Sequence, residues 1–290
     1  MIQLQNATKR FPNGHGVSGL TFEVAEGESF GYLGPNGSGK STTIRTLMGF
    51  LRVDSGTVRI NGLDCWKDAE RIQEHVGYLP GETEFLEGLN GKQFLALLAG
   101  MRKLKNLQRR DELINRFELD VATPIRRMSK GMKQKLAIVA AFMHKPGVLI
   151  LDEPTSGLDP LMQQRFLELV EEEKGRGATI LMSSHIFTEI ERVCDRVGII
   201  KDGHLVAVED VKSLRSMQRQ VFTVQFANEA EANKFRQFEP HVLQQRGHEL
   251  DIELHGNYNE FIGKLAKCDV QGMHAHELSL EQLFMHYYES

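Results

Sequence analysis

A glycine-rich segment of the chain has the spacing GxxxxGK[ST], and its residues are Gly34, Pro35, Asn36, Gly37, Ser38, Gly39, Lys40 and Ser41. An apolar run typical of a strand, residues 29–33, precedes it, and a helical segment, residues 42–48, follows it. Glycines let the backbone N–H groups turn inward, Lys40 can bridge two phosphates, and Ser41 can hold Mg²⁺, with Thr42 adding a hydroxyl contact. The segment predicts a cradle for the phosphates of a nucleotide such as ATP.

Two adjacent acids, Asp152 and Glu153, end the apolar run 148–151. Charges at the carboxyl end of a buried strand lie at the sheet edge where α/β proteins bind ligands. Asp152 would orient Mg²⁺ or its water, and Glu153 would polarise the water that attacks the γ-phosphorus. Strands that end in solvated acids are common, so it is the presence of Lys40 that favours the catalytic interpretation.

His185 follows the apolar run 179–183 and is therefore expected at the same sheet edge. There it could hydrogen-bond the γ-phosphate and hold the attacking water. A single histidine after a strand is more often a structural or surface residue. Its position relative to Lys40 and Glu153 is what favours the catalytic role.

The elements that must position these residues alternate between strand and helix over residues 1–215, which predicts an α/β domain. The clearest strands are 29–33, 58–60, 148–151, 179–183 and 197–200, and a helical insertion is predicted at about 83–143. Residues 216–290 form a predicted small α+β accessory domain in the order βαββαβα, a ferredoxin-like order whose last helix is residues 280–288.

The composition indicates where the chain works. With a formal charge of −4, its 290 residues give no global electrostatic reason to bind nucleic acid, and three dispersed cysteines suit a reducing compartment. The N-terminus alternates like a strand and lacks the pattern of a signal peptide, and no apolar run reaches the roughly 20 residues needed to cross a bilayer. We expect a cytoplasmic protein whose membrane role comes through a partner. A basic run at 102–110 is interpreted as a solvated helix face, with contact to lipid head groups or to a partner's acidic residues as the alternative. The acidic run 171–173 is interpreted as an exposed helix end.

Further segments resemble one protein family. Residues 128–135, Met-Ser-Lys-Gly-Met-Lys-Gln-Lys, resemble the signature motif of ABC ATPases; residues 151–160 and 183–185 match the family's motifs around its catalytic acid and histidine. The match extends over residues 2–210, and the form is that of bacterial exporter subunits. The resemblance implies a P-loop NTPase fold of the ABC type, with an antiparallel β subdomain and a helical insertion.

The resemblance also implies a head-to-tail dimer in which two copies of the chain sandwich two ATP molecules. Ser129 and the Gly131 N–H, at the start of a helix, would meet the γ-phosphate held by the other copy. Asp159 would sense the opposite site, and Phe11 resembles the aromatic residue that stacks on adenine. Partners would be a second copy and a separately encoded transmembrane permease, which would hold the chain at the inner face of the membrane.

One departure from the family's pattern leaves a role open. Where the family usually carries a glutamine that touches Mg²⁺ or the attacking water, this chain has Gly81, followed by Glu82. Glu82, a backbone carbonyl or nothing could take that place. Other functions considered are a soluble ABC ATPase acting on ribosomes or nucleic acid, a small-molecule P-loop kinase, and a binding-only regulator. The signature motif argues against the kinase, and Glu153 argues for turnover.

Overall fold

The computed structural model describes residues 1–86, 88–216, 220–239, 241–254 and 258–277. It divides the chain into two compact units, Met1–Val211 and Lys212–Ser290. Each unit has its own hydrophobic core. The division falls just before the domain boundary predicted from the sequence.

The strands described in the first unit form two sheets. Those strands are β1 (Ile2–Arg10), β2 (Gly16–Val24), β3 (Ser29–Leu33), β4 (Ser55–Ile60), β5 (Leu63–Asp64), β6 (Val76–Leu79), β7 (Val148–Asp152), β8 (Thr179–Ser184), β9 (Arg196–Lys201) and β10 (His204–Asp210). One sheet is antiparallel with the order β2-β1-β4-β5, and the other has the order β10-β9-β3-β8-β7-β6. The five predicted strands lie within β3, β4, β7, β8 and β9 and are confirmed.

Helices connect the strands of the first unit. They are α1 (Lys40–Leu47), α2 (Ala69–His75), α3 (Gly91–Met101), α4 (Gln108–Arg116), α5 (Lys130–Phe142), α6 (Pro160–Gly175) and α7 (Phe187–Val193), and α8 (Val211–Ser216) follows β10. Between β6 and β7 the described residues form α3, α4, α5 and a 3-10 turn, Ile125–Arg127, and contain no strand. This is the stretch in which the sequence predicts a helical insertion.

The central part of the larger sheet explains how distant segments meet. β3, β7 and β8 are buried along their whole length, and β3 and β7 both pair in parallel with β8. Strands buried on both faces read as continuous apolar runs, as these do in the sequence. Because parallel strands point the same way, the segments that follow β3, β7 and β8 emerge at one edge of the sheet.

Two charged runs are solvated only in part. Glu171, Glu172, Lys103 and Lys105 are exposed as predicted, whereas Glu173 is buried and Arg102 and Arg109 are partly buried. Glu173 is fully buried, and its carboxylate accepts from Arg109 of α4 at 2.6 Å and from Arg176 at 2.7 Å. Arg102 donates to the backbone carbonyls of Glu74 at 2.9 Å and Val76 at 3.3 Å. Buried charges require such partners, and these bonds join the helical segment to α6 and to the end of α2.

Within residues 220–277, the described part of the second unit contains a four-stranded sheet and two helices that pack against it. Its elements are β11 (Gln220–Phe226), α9 (Glu229–Phe238), β12 (Val242–Arg246), β13 (Glu249–Glu253), α10 (Tyr258–Leu265) and β14 (Val270–Glu277). The strand order is β12-β13-β11-β14, with every pair antiparallel. Alternate residues of β11 pack against the helices in a core that includes Phe222, Val224, Phe226, Phe235 and Phe261. The last predicted helix, 280–288, lies outside the described residues.

Candidate active site

The phosphate-binding segment joins β3 to α1, as the sequence predicts. A Cβ atom on Gly34 would lie 2.5 Å from the Ile200 carbonyl oxygen, so no larger residue fits there without movement. Gly39 has a φ of 108°, caps α1 in the left-handed region, and leaves only 2.6 Å between an added Cβ and Val17. Close approach at the first position and backbone conformation at the second both require glycine.

Lys40 lies at the centre of this loop and is almost fully buried. Its Nζ donates to the carbonyl oxygens of Gly34 at 2.6 Å and Pro35 at 3.1 Å, and it lies 3.1 Å from Glu153 Oε1. These three oxygens match the three N–H donors of an ammonium group. The positive charge is therefore held at the N-terminus of α1, where a phosphate group would add to its acceptors.

Asp152 and Glu153, at the end of β7, are held by Ser183 of the neighbouring strand β8. Asp152 Oδ1 accepts from the Ser183 hydroxyl at 2.5 Å. The backbone N–H of Glu153 donates to the Ser183 carbonyl oxygen at 3.2 Å and hydroxyl oxygen at 3.1 Å. No local pattern in the sequence indicates this role of Ser183, because its contacts with the two acids depend on the pairing of β7 with β8.

The Glu153 carboxylate contacts a cationic side chain on one side and His185 on the other. Its Oε1 faces Lys40, and its Oε2 lies 2.6 Å from His185 Nδ1. The His185 side chain is 51% exposed, so the ring borders open space rather than the core. A carboxylate flanked in this way can accept a proton from water while the imidazole orients the same water.

Two adjoining cavities border these groups. One, of about 460 Å³, follows the loop and is lined by residues that include Asn36, Gly37, Gly39, Lys40, Ser41, Thr42 and Glu153. The other, of about 840 Å³, is lined by residues that include Asn36, Ser41, Asp152, Glu153 and His185. Together they have the volume that a nucleotide requires.

Oxygen donors for a magnesium ion meet in the larger cavity. Ser41 supplies a hydroxyl and Asp152 a carboxylate, and oxygen ligands of this kind are the ones Mg²⁺ prefers. Gly81 lies against Asp152: a Cβ on Gly81 would be 3.4 Å from Asp152 Oδ2. Glu82 lines the same cavity. Burial, with the nearby Asp152 charge, raises the pKa of Tyr78 to about 12, so the phenol beside this cavity stays neutral.

The predicted site residues on α5 and α6 or at their N-termini are absent from the lining of both cavities. Ser129 caps α5 by accepting the Met132 N–H at 3.2 Å, and Gly131 lies in the first turn of that helix. Asp159 caps α6 by accepting the Met162 N–H at 3.0 Å. The structure therefore does not bring these residues to the Lys40 site of their own chain.

Phe11 is also absent from the lining of the two cavities, where it was expected to stack on a base. Lys9 Nζ lies 5.9 Å from the centroid of its ring. Asn13 and His15, from the same connection between β1 and β2, line the smaller cavity instead. No spacing signal in the sequence distinguishes these two residues, because the path of the connection decides which side chain reaches the cavity.

A glycine-rich loop on a helix N-terminus, a lysine inside it, and a carboxylate pair at the end of another parallel strand of the same sheet define a P-loop nucleoside triphosphatase. Residues 17–156 match the ABC transporter family. The linearmycin resistance ATP-binding protein LnrL of Bacillus subtilis (strain 168) is 32% identical over 292 aligned residues, which cover 97% of this chain and 94% of LnrL. The bacitracin transport ATP-binding protein BcrA of Bacillus licheniformis is 34% identical, covering 80% and 77% of the two chains.

Solved structures have the same fold. The ATP-binding subunit of an ABC transporter superposes with a TM-score of 0.68 at 32% identity, over 74% of this chain and 92% of that one. The ATP-binding cassette MJ0796, in a dimeric post-hydrolysis state bound to ADP and Pi, has a TM-score of 0.67 over 73% of this chain and 99% of its own. At 21% identity, this second likeness supports the fold. The chain belongs to the ABC transporter family as an ATP-binding subunit, and it is an ATPase.

The geometry around Glu153 predicts the result of a single substitution. Glu153→Gln keeps the shape of the side chain but removes the carboxylate that faces Lys40 and His185 and that would take a proton from water. We expect the hydrolysis rate to fall about a hundredfold or more while ATP binding persists. Phosphate release and equilibrium binding of a fluorescent ATP analogue measure the two effects. Normal turnover in this variant would show that another group acts as the base.

Proposed function

We propose that this subunit powers a separately encoded transmembrane permease that exports its cargo, and that it hydrolyses ATP in a sandwich with a second copy of itself. The observation that carries the proposal is the division of the site. The loop, the metal oxygens and Glu153 line one cavity. At the N-terminus of α5, Lys130 borders that cavity, but Ser129 and Gly131 do not line it. A second copy is the simplest source of the missing contacts.

Within one copy, each group at the cavity has a separate task. Lys40 binds the β- and γ-phosphates, Glu153 accepts a proton from the attacking water, and His185 orients that water beside the γ-phosphate. Ser41 and Asp152 would hold Mg²⁺, which neutralises charge on the phosphates when bound. Ser183 maintains the position of both acids through its bonds across β7 and β8.

The N-terminus of α5 suits a phosphate from the other copy. The Ser129 oxygen accepts the Met132 N–H, which leaves the hydroxyl proton free for donation to an anion. The helix dipole and the first-turn N–H groups, including that of Gly131, add to this attraction. When the γ-phosphate leaves, these contacts are lost, and the two copies can separate.

Mixing two inactive variants tests this arrangement. Lys40→Ala damages the loop and Ser129→Arg blocks the helix N-terminus, so either variant alone should be almost inactive. A mixed dimer retains one intact site, built from the loop of the Ser129→Arg chain and the helix of the Lys40→Ala chain. An equimolar mixture should regain roughly a quarter of wild-type activity, since half of the dimers are mixed and each has one of two sites.

ATPase assays over a range of mixing ratios measure this recovery. Lys40→Ala mixed with Lys40→Met is the control and should stay inactive at every ratio. If the informative mixture also stayed inactive after the formation of mixed dimers had been verified with two affinity tags, the two-copy site would be refuted.

A second surface supports coupling to a permease. An apolar groove of about 250 Å³ is lined by residues that include Phe85, Phe94, Leu98, Ala137 and Ala141. Pro80 and Glu84 line both this groove and the larger nucleotide cavity. An apolar segment of the permease seated in the groove would therefore contact the segment that lies against Asp152.

Two observations support a membrane partner: this groove, and the relatives that are named for linearmycin resistance and bacitracin transport. Antibiotic-like export is the cargo class that these names favour. No helix among the described residues is long and apolar enough to cross a membrane. We place the chain at the inner, cytoplasmic face of the membrane, where the permease would hold it.

Crosslinking tests the partner. Phe50, at the groove, is 51% exposed, so Phe50→Cys in a Cys268→Ser background should form a crosslink in native membranes to a protein with several membrane spans. Val206→Cys, 43% exposed on β10, is the control and should give far less of that product. Crosslinks from Phe50→Cys to ribosomal proteins alone would instead support an ABC ATPase that acts on ribosomes.

For the role left open by Gly81, we propose that Glu82 replaces the missing side chain. Its carboxylate lines the cavity that contains Ser41 and Asp152, whereas Gly81 has no side chain to offer. Glu82→Ala should raise the Mg²⁺ concentration for half-maximal activity several-fold, because an oxygen ligand or water acceptor is lost.

Gly81→Gln provides the matching rescue, since a Cβ at position 81 would meet Asp152 only at ordinary contact distance. Adding it to Glu82→Ala should restore part of the Mg²⁺ response, measured by activity and by Mn²⁺ binding in electron paramagnetic resonance. An unchanged Mn²⁺ affinity in Glu82→Ala would remove Glu82 from this role.

We also propose that the second unit is a ferredoxin-like accessory domain. Its strand order, read from β14 to β12, places the fourth strand next to the first, then the third, then the second. This order, with helices after the first and third strands, supports the interpretation.

A further inference from the structure

The backbone of Glu153 adopts a conformation that non-glycine residues rarely adopt. Its φ is 47°, in the left-handed region. This conformation is unfavourable for a residue with a side chain and persists only where the surrounding structure fixes it. On the N-terminal side of Glu153, two hydrogen-bond contacts from its backbone N–H to Ser183 fix the conformation.

On the C-terminal side of Glu153, a residue from a different part of the chain fixes the backbone. The carbonyl oxygen of Pro154 accepts a hydrogen bond from Gln134 Nε2 at 2.7 Å. Gln134 lies on α5 and is only 3% exposed. A buried amide donor paired with a buried carbonyl is costly to remove, because the carbonyl is then left unsatisfied.

Two more contacts join the start of α5 to the same loop. Lys130 Nζ lies 3.3 Å from Ser156 Oγ, and a Cβ on Gly131 would lie 3.0 Å from the Gly157 carbonyl oxygen. The loop itself is closed by hydrogen bonds from Ser156 N to Glu153 O and from Leu158 N to Thr155 O, both at 3.1 Å. These contacts join the first turns of α5 to the loop 153–158.

We propose that Gln134 is a positioning residue for Glu153, and that its bond to Pro154 transmits the state of the α5 N-terminus to the catalytic carboxylate of the same chain. This inference rests on the proposed function. A phosphate of the other copy that binds Ser129 and Gly131 stabilises the helix that holds Glu153 in place. In each chain, the nucleotide bound by the other copy's loop thereby affects the position of Glu153 at the chain's own loop.

Gln134→Leu tests the proposal, because leucine fills a similar volume but donates no hydrogen bond. The P-loop is untouched, so the KM for ATP and the binding of a fluorescent ATP analogue should change less than about twofold. Misplacement of Glu153 should lower kcat about tenfold or more. Thermal unfolding confirms that both proteins are folded at the assay temperature.

Gln163→Leu is the matched control. Gln163 Nε2 donates to the backbone carbonyl of Leu158 at 3.2 Å, so the variant loosens the same loop away from Glu153. Its kcat should stay within about twofold of the wild-type value. An equal loss in both variants would mean that general loop rigidity matters, and the specific role of Gln134 would be overturned.

Gln134→Glu adds a readout that a purely structural role would not move. At neutral pH the introduced carboxylate would face the Pro154 carbonyl, and two acceptors repel. Burial raises the pKa of a carboxyl above its ordinary value of about 4.3, so protonation as the pH falls restores an O–H donor. The ratio of variant to wild-type kcat should therefore rise as the pH falls.

The possible outcomes distinguish the proposed function from the role of Gln134. If the mixture of Lys40→Ala and Ser129→Arg regains no activity, the proposed two-copy site fails. If the wild type is active and Gln134→Leu has the same kcat, only this inference fails. A ratio for Gln134→Glu that stays constant with pH, despite a loss of kcat in Gln134→Leu, would also overturn the role of the hydrogen bond.

Discussion

The ion pair between Lys40 and Glu153 joins the two halves of the active site, and the rest of the fold is arranged around it. Lys40 follows β3 and Glu153 follows β7, and the two strands do not touch. β8 lies between them and pairs in parallel with both. Only an uninterrupted parallel sheet of these strands can bring an ammonium and a carboxylate from such distant segments within 3.1 Å.

β8 is therefore more than a spacer. Its last residues place Ser183 between the two acids and direct His185 towards Glu153. Ser183 donates to one acid with its hydroxyl and accepts the backbone N–H of the other, so one side chain sets the geometry of both. A site built in this way is organised before substrate binds, which reduces the reorganisation needed during reaction.

A buried ion pair also connects α4 with α6. Arg109 and Glu173 form a largely buried ion pair, in which Glu173 also binds Arg176 and Arg109 also lies 2.8 Å from Glu172. The pair joins α4 to the helix whose N-terminus carries Asp159. The elements that bear Ser129, Glu153 and Asp159 are thus connected by hydrogen bonds, turns and ion pairs within one chain, although in the proposed two-copy arrangement their side chains would serve different sites.

Much of the chemistry could be predicted from local sequence. The loop 34–41, the acids Asp152 and Glu153, and the central strands are encoded by short-range patterns, because glycine spacing and continuous apolar runs have few structural interpretations. What only the tertiary structure decided is which side chains converge. Ser183 and Gln134 act through partners distant in sequence, Asn13 and His15 line the cavity in place of Phe11, and Glu173 is buried rather than solvated. Such contacts depend on the packing of separate elements, and that packing leaves no periodic signal along the chain.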